Sequence, residues 1–131
     1  MSALTNQQLG RLKDKLKAQR EEIREHIHEA LLHEENESYA DLAGRVRDIG
    51  DESIADLLSD INLAVISKHA ADITGIEQAL HRMGVGTYGT CVDCGDEIEY
   101  PRLDAYPTAR RCVSCQARHE HTHSTAPEGP G

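Results

Sequence analysis

No proline interrupts the chain from Leu4 to about Arg47, and across that stretch Leu9, Leu12, Leu16, Ile23, Ile27 and Leu31 recur at intervals of three, four or seven. This is the period of one face of a helix, so the segment is expected to form one long amphipathic helix. After Asp48-Ile-Gly-Asp51 the pattern resumes with Ile54, Leu57, Leu58, Ile61, Val65, Ile73, Ile76, Leu80 and Met83. It ends at Gly84-Val-Gly86, a strong stop signal. Two helices of nearly equal length joined by a short turn lie antiparallel, and facing residues then have numbers of nearly constant sum. A sum of 99 or 100 pairs Val46 with Ile54, Leu42 with Leu57, Tyr39 with Ile61, Ile27 with Ile73, Ile23 with Ile76, and Leu16 with Met83. The fold point falls between Asp48 and Asp51, and each arm would reach about 50 Å. A polar interruption at His33-Glu34-Glu35-Asn36-Glu37 would face the Val65 region and bend or fray the first helix there.

Charge is unevenly placed along this rod. The 131 residues hold 14 Lys and Arg against 23 Asp and Glu, a net of -9. Residues 34 to 60 alone carry nine acidic side chains and two basic ones, Arg45 and Arg47. Such a chain is a poor nonspecific ligand for nucleic acid, which demands clustered cations, and its acidity points to a protein partner. Asp48 and Asp51 are, on local grounds alone, a turn former and a helix N-cap; the concentration of charge around them also fits an electrostatic probe. No stretch approaches the roughly 20 apolar residues of a membrane span, and the start lacks the apolar core of a signal peptide. A cytoplasmic location is the expectation.

There is no Phe or Trp, and a chain of this length buries only about two thirds of its unfolded surface, so something besides core volume must help it fold. Cys91-Val-Asp-Cys94 and Cys112-Val-Ser-Cys115 supply it. Their separation by 17 residues is that of a four-thiolate zinc site. Each two-residue gap lets one tight turn present two sulfurs to the same ion, and Gly95 can take the backbone angles of such a knuckle. A helix starting near Pro107-Thr108 would carry the second pair and favour its thiolates through the helix dipole. Glu97-Ile-Glu-Tyr-Pro101 is expected as a short hairpin. Four thiolates leave no open position for water, so the zinc is structural. The finger segment 88 to 131 has four Arg and seven acidic residues, which argues against DNA binding. A thiol redox switch remains the other option for a CxxC pair.

The tail from His119 is polar and rich in Pro and Gly, and is expected to be disordered, with His119, His121 and His123 solvated. His26, His28, His33, His69 and His81 show no HExxH spacing and no nearby nucleophile, so no catalytic constellation is found and the chain is expected not to be an enzyme. The expected fold is mainly α: a long antiparallel coiled-coil helical hairpin over 1-87 with an acidic tip near 48-53, a four-cysteine zinc finger with a C-terminal helix over 88-120, and a disordered tail over 121-131.

The finger Tyr88-Gly-Thr-Cys91-Val-Asp-Cys94-Gly-Asp-Glu-Ile98, followed by Arg102-Leu-Asp-Ala105, Pro107-Thr-Ala109 and Cys112-Val-Ser-Cys115, resembles that of the DksA/TraR family of bacterial RNA polymerase regulators. The resemblance covers about residues 10 to 120. It implies a nonenzymatic monomer that regulates transcription initiation by inserting its coiled-coil tip into the secondary channel of RNA polymerase, without sequence-specific DNA binding. The family's tip motif, Asp-x-x-Asp-x-Ala, falls on Asp48-Ile-Gly-Asp51-Glu-Ser53, with Ser53 in place of the usual Ala. In DksA-like members the stringent-response alarmone guanosine tetraphosphate meets basic residues at the positions here occupied by Tyr106 and Gln116, a departure that leaves alarmone binding by this chain unknown. The competing class is a zinc-ribbon nucleic-acid-binding or redox-sensing module, which would bind duplex DNA and need no polymerase.

Overall fold

Thr5 opens the first helix with a capping box. Its hydroxyl accepts from the Gln8 N–H at 3.0 Å while the Gln8 side chain accepts from the Thr5 N–H at 3.0 Å, satisfying two of the donors a helix start leaves free. The computed structural model describes residues 4–123. It contains helices α1 (Asn6–Leu32), α2 (Glu37–Asp48), α3 (Ile54–Leu57), α4 (Ala64–Val85), α5 (Tyr100–Ala105) and α6 (Val113–His123), and among the described residues the sole β pairing is an isolated bridge between Thr90 and Glu97. The architecture is mainly helical, an antiparallel helical pair followed by a four-cysteine finger.

Antiparallel packing of α1 on α4 forms the frame. Leu12 and Leu16 share one core with Ile76, Ala79 and the partly buried Ile23 and Met83, whereas Ile27 and Leu31 share a second with Ile66 and Ile73. Leu12, Leu16, Ile27 and Leu31 are all fully buried. At about 1.5–3 kcal/mol for each such side chain, packing far outweighs the few tenths of a kcal/mol from surface pairs such as Lys68–Asp72. Gly86, with φ of 83°, ends α4 in the left-handed conformation, and the Arg82 carbonyl accepts the N–H groups of Thr87 and Tyr88.

The far half departs from two continuous arms. The first helix does not run to Arg47 but stops at Leu32, and the chain reverses through Glu35, whose φ is 51°, into Asn36, whose side chain caps α2 through the Ser38 N–H at 2.8 Å. The physical reason lies in His33-Glu34-Glu35-Asn36-Glu37: five successive polar residues offer a continuing helix nothing to bury. Folded back, α2 instead lays Leu42, Ala43 and Val46 into the core that holds Ile27 and Leu31. His28 Nδ1 meets the Ala43 carbonyl oxygen at 2.8 Å across this contact. The second arm is interrupted as well. Ser59, Asp60 and Asn62 lie in a turn between α3 and α4, closed by Ile61 N–H on the Leu58 carbonyl at 2.9 Å.

The acidic segment therefore does not form an apex. Residues 49–53 link α2 to α3 alongside the middle of the frame. Arg24 donates to the Ile49 carbonyl at 2.6 Å and Arg20 to that of Glu52 at 2.8 Å. The Glu77 carboxylate accepts from the Ser53 hydroxyl at 2.7 Å, from the N–H groups of Ile54 at 2.8 Å and Ala55 at 3.2 Å, and from Arg20 Nε at 3.3 Å. A side chain from a distant helix thus caps α3 alongside its own Ser53. The end of the frame remote from the finger is formed by the turns at 33–36 and 58–63.

Removing the Glu77 carboxylate strands three hydrogen-bond donors and the Arg20 charge. Glu77→Ala is expected to lower stability by about 1–3 kcal/mol and to speed hydrogen exchange of the Ile54 and Ala55 amides. Unchanged exchange at those two amides would show that Glu77 does not hold the segment.

Candidate metal centre

The first cysteine pair sits on a knuckle whose backbone is closed by three bonds. Cys91 N–H donates to the Asp96 carbonyl at 2.7 Å, Gly95 N–H to that of Cys91 at 3.0 Å, and Ile98 N–H to that of Gly89 at 2.7 Å. Gly95 has a φ of 80°, which an L side chain rarely adopts. The second pair sits at the start of α6, where Cys112 acts as the cap. Its carbonyl accepts from Gln116 N–H at 2.8 Å and its Sγ faces Cys115 N–H at 3.4 Å. The helix expected from Pro107-Thr108 begins instead at Val113, because the carbonyls it would use are taken. That of Pro107 accepts the Tyr88 hydroxyl at 2.8 Å, and that of Arg110 accepts Val92 N–H at 2.9 Å. The hairpin expected at 97–101 is reduced to the Thr90–Glu97 bridge, since Pro101 sits in the first turn of α5.

All four sulfurs, of Cys91, Cys94, Cys112 and Cys115, lie within 4.8 Å of one another, and those of Cys94 and Cys112 are 3.8 Å apart. Four ligands about 2.3 Å from a tetrahedral zinc are about 3.8 Å from each other, so the donor set fits the ion by chemistry and spacing. Electrostatics explains why it needs one. Burial opposes ionisation of Cys91, but the N–H groups of Cys94, Cys112 and Asp93 bring its thiol down to about 6. The Asp96 N–H draws Cys94 down, yet burial and the sulfurs of Cys91, Cys115 and Cys112 carry it up to about 12. Burial, then the Cys112 and Cys91 sulfurs, raise Cys115 as well. The Cys91 thiolate forms readily, whereas Cys94 and Cys115 resist until a dication balances them. Cys91, Cys94, Cys112 and Cys115 would hold the zinc, which would tie the two knuckles together as a structural ion.

The finger is fastened to the frame. Cys91, Cys115, Ile98, Leu103 and Tyr88 share the core of Leu12 and Leu16. Burial pushes the Tyr88 phenol up to about 12, keeping it a neutral donor to Pro107. Lys15 on α1 donates to Asp104 Oδ1 at 2.9 Å and to its carbonyl at 2.7 Å, and the Lys15 hydrogen bond holds the Asp104 carboxyl below the usual range.

Of the other residues singled out in the sequence, Asp48 and Asp51 are exposed and Ser53 is half-buried. Tyr106 is exposed with the Arg102 guanidinium 5.9 Å from its ring centre, and Gln116 donates to Glu120 at 2.9 Å. The backbone carrying His119, His121 and His123 is helical as part of α6, a correction to the disordered tail from 121; residues 124–131 of that expectation lie outside the described residues. Local pattern gave no hint of Glu77, Arg20 and Arg24, whose importance arises from partners 22 to 57 positions away.

The prokaryotic dksA/traR C4-type zinc finger family matches residues 86–121. The chain is 38% identical over 119 residues to the RNA polymerase-binding transcription factor DksA of Caulobacter vibrioides, covering 89% of this chain and 79% of that one. It belongs to the DksA/TraR family. The factor of the same name from Escherichia coli K12 is 28% identical over 109 residues, covering 83% of this chain and 69% of its own. Among solved structures, transcription factor DksA2 from Pseudomonas aeruginosa superposes with a TM-score of 0.62 at 26% identity, over 89% of this chain and 86% of that one. Membership and the sulfur geometry together assign one structural zinc per chain, and no helix among the described residues is long and apolar enough to cross a membrane.

Metal analysis of the reduced protein should give one zinc per chain. Because protons compete for the thiolates, zinc affinity falls as pH falls. Cys91→Ser is expected to loosen 88–118 while leaving far-ultraviolet helicity of the frame largely intact. A zinc ratio near zero in freshly purified, folded protein would refute the site.

Proposed function

We propose that this chain binds bacterial RNA polymerase directly and regulates transcription initiation, acting as a nonenzymatic protein cofactor of that enzyme. The observation that carries the reading is the 38% identity, over 89% of this chain, to a factor named for polymerase binding. The acidic balance supports it, since a net charge of -9 suits a protein partner better than a DNA duplex. In the finer reading the chain acts as a monomer in the cytoplasm and enters the secondary channel, presenting Asp48 and Asp51 to the active centre, with Ser53 beside them. Two solvent-exposed carboxylates, one on the last residue of α2 and one on the loop that follows it, are suited to acting on a metal-dependent centre through charge.

Seated against α1 and α4, that loop is held about midway along the frame. Its use as a probe requires segment 37–63 to leave its seat, exchanging the burial of Leu42, Ala43, Val46 and Ile54 as well as the Arg20, Arg24 and Glu77 contacts for contacts with the polymerase. At the family's alarmone position Tyr106 and Gln116 stand in place of cations, with Gln116 tied to Glu120, while Arg102 lies against the Tyr106 ring and Arg110 and Arg111 share a cavity with Gln116.

Carboxylate charge can be separated from helix capping, because Asn caps nearly as well as Asp. The Asp48→Asn, Asp51→Asn double variant is expected to keep helicity and polymerase binding while losing most of its effect on initiation at a responsive promoter. Full regulation by the double variant at saturating concentration would refute the loop's role. Loss of regulation in Glu34→Gln, Glu35→Gln instead would move the role to the turn that forms the far end of the frame. Binding of duplex DNA without binding of polymerase would favour the zinc-ribbon alternative.

A further inference from the structure

His26 on α1 and His69 on α4 bring their imidazole rings to 5.2 Å between centres, with the ring planes inclined at 46°. His26 is exposed and His69 half-buried. Apart from this ring contact, neither has a hydrogen-bond or ion-pair partner among the described residues. His28 differs, because its Nδ1 meets the Ala43 carbonyl oxygen at 2.8 Å. The nitrogens of the His26 and His69 rings are thus left for an external ligand at a place where two packed helices hold the rings together.

The spacing is that of two ligands on one ion. An imidazole nitrogen lies about 2.0–2.1 Å from zinc, which puts the ring centre about 3.2 Å from the metal. Two such rings at the tetrahedral angle have centres about 5.2 Å apart, against about 4.5 Å at a right angle. The second imidazole torsion is soft, and turning it brings a nitrogen toward a shared ion while the ring centres stay in place. The surroundings suit a dication. Glu22, one turn from His26 on α1, and Asp72, one turn from His69 on α4, line a common cavity of about 380 Å³. Glu29 follows His26 by three residues. Lys68 is engaged with Asp72 Oδ2 at 3.2 Å, which leaves carboxylates in excess. A carboxylate beside a ligating imidazole takes its second ring N–H and raises its basicity toward the metal.

We propose that His26 and His69 form a second metal site, for a borderline dication that accepts tetrahedral geometry, of which zinc is the representative. Water completes the shell, and Glu22 and Asp72 act as positioning residues for the two imidazoles. Magnesium and calcium are excluded because they take oxygen ligands. Two neutral imidazoles hold zinc less tightly than four thiolates, so this site fills only after the Cys91, Cys94, Cys112 and Cys115 set. An ion there ties α1 to α4 beside Ile27 and Ile73, in the core on which α2 rests. The inference does not rest on polymerase binding.

Calorimetric titration of the zinc-loaded full chain with further Zn2+ at neutral pH, after its finger zinc has been counted, tests the site. Saturable binding of one additional zinc per chain is expected, with a melting temperature that climbs as free zinc rises. His26→Gln and His69→Gln should each abolish saturation over the same range while leaving the finger zinc and helicity unchanged. The two together should cost no more than either alone, because they act as one unit. Glu22→Gln with Asp72→Asn should weaken binding by about tenfold. Mg2+ should not bind, and the variant His119→Gln, His121→Gln, His123→Gln should keep the additional zinc. The proposal is overturned if no additional zinc binds, if both single histidine variants bind it as the parent does, or if the tail variant alone loses it.

Discussion

The Glu77 carboxylate holds the far half of the molecule in place. It takes four donors, from Ser53, Ile54, Ala55 and Arg20, and so fixes the start of α3 against α4 and α1. Arg20 and Arg24 complete the clasp by holding the carbonyls of Glu52 and Ile49. Because α2 leads into this loop and α3 leads out of it, the clasp decides that the apolar stripe of α2 rests on Ile27 and Leu31. These contacts are polar and partly solvent-exposed. They hold the loop with hydrogen bonds that a partner rich in competing groups can replace, whereas the hydrophobic contacts of α1 with α4 persist.

The near half depends on a different constraint. Its core contains Cys91 and Cys115 beside Leu12, Leu16 and Leu103, so the metal ligands are also packing residues. Bound zinc would therefore organise the finger and the surface on which α1 begins and α4 ends. Lys15 and Asp104 add a polar tie across the same junction. A groove lined by basic and acidic side chains opens beside this junction, and Arg110, two residues before Cys112, brings the finger's own charge to it.

The sequence made the near half legible because its determinants are local. Two CxxC pairs at the right spacing define the sulfur cluster, Gly86 stops α4 within the expected Gly84-Val-Gly86 signal, and the antiparallel companionship of Leu16 with Met83 and Ile27 with Ile73 follows from the stripe. The far half was not legible for a physical reason. Leu42 and Val46 present an apolar face that fits α1 as well as it fits a facing arm, so periodicity alone allows both arrangements. What decides between them is a polar run at 33–37 that buries nothing, together with a cap on α3 supplied from more than 20 residues away. The late start of α6 has the same character, since it is set by the Tyr88 and Val92 donors that claim the Pro107 and Arg110 carbonyls.

Where the acidic loop rests in the free protein distinguishes a folded-back α2 from one continuous arm. Spin labels on unnatural side chains at positions 18 and 50, which leave the zinc thiols untouched, measure it directly by pulsed dipolar spectroscopy. Folding back of α2 predicts a separation under about 20 Å, because Arg20 and Arg24 reach the loop by hydrogen bonds. A principal distance of about 45–50 Å, the span of one uninterrupted helix between those positions at 1.5 Å per residue, would contradict it.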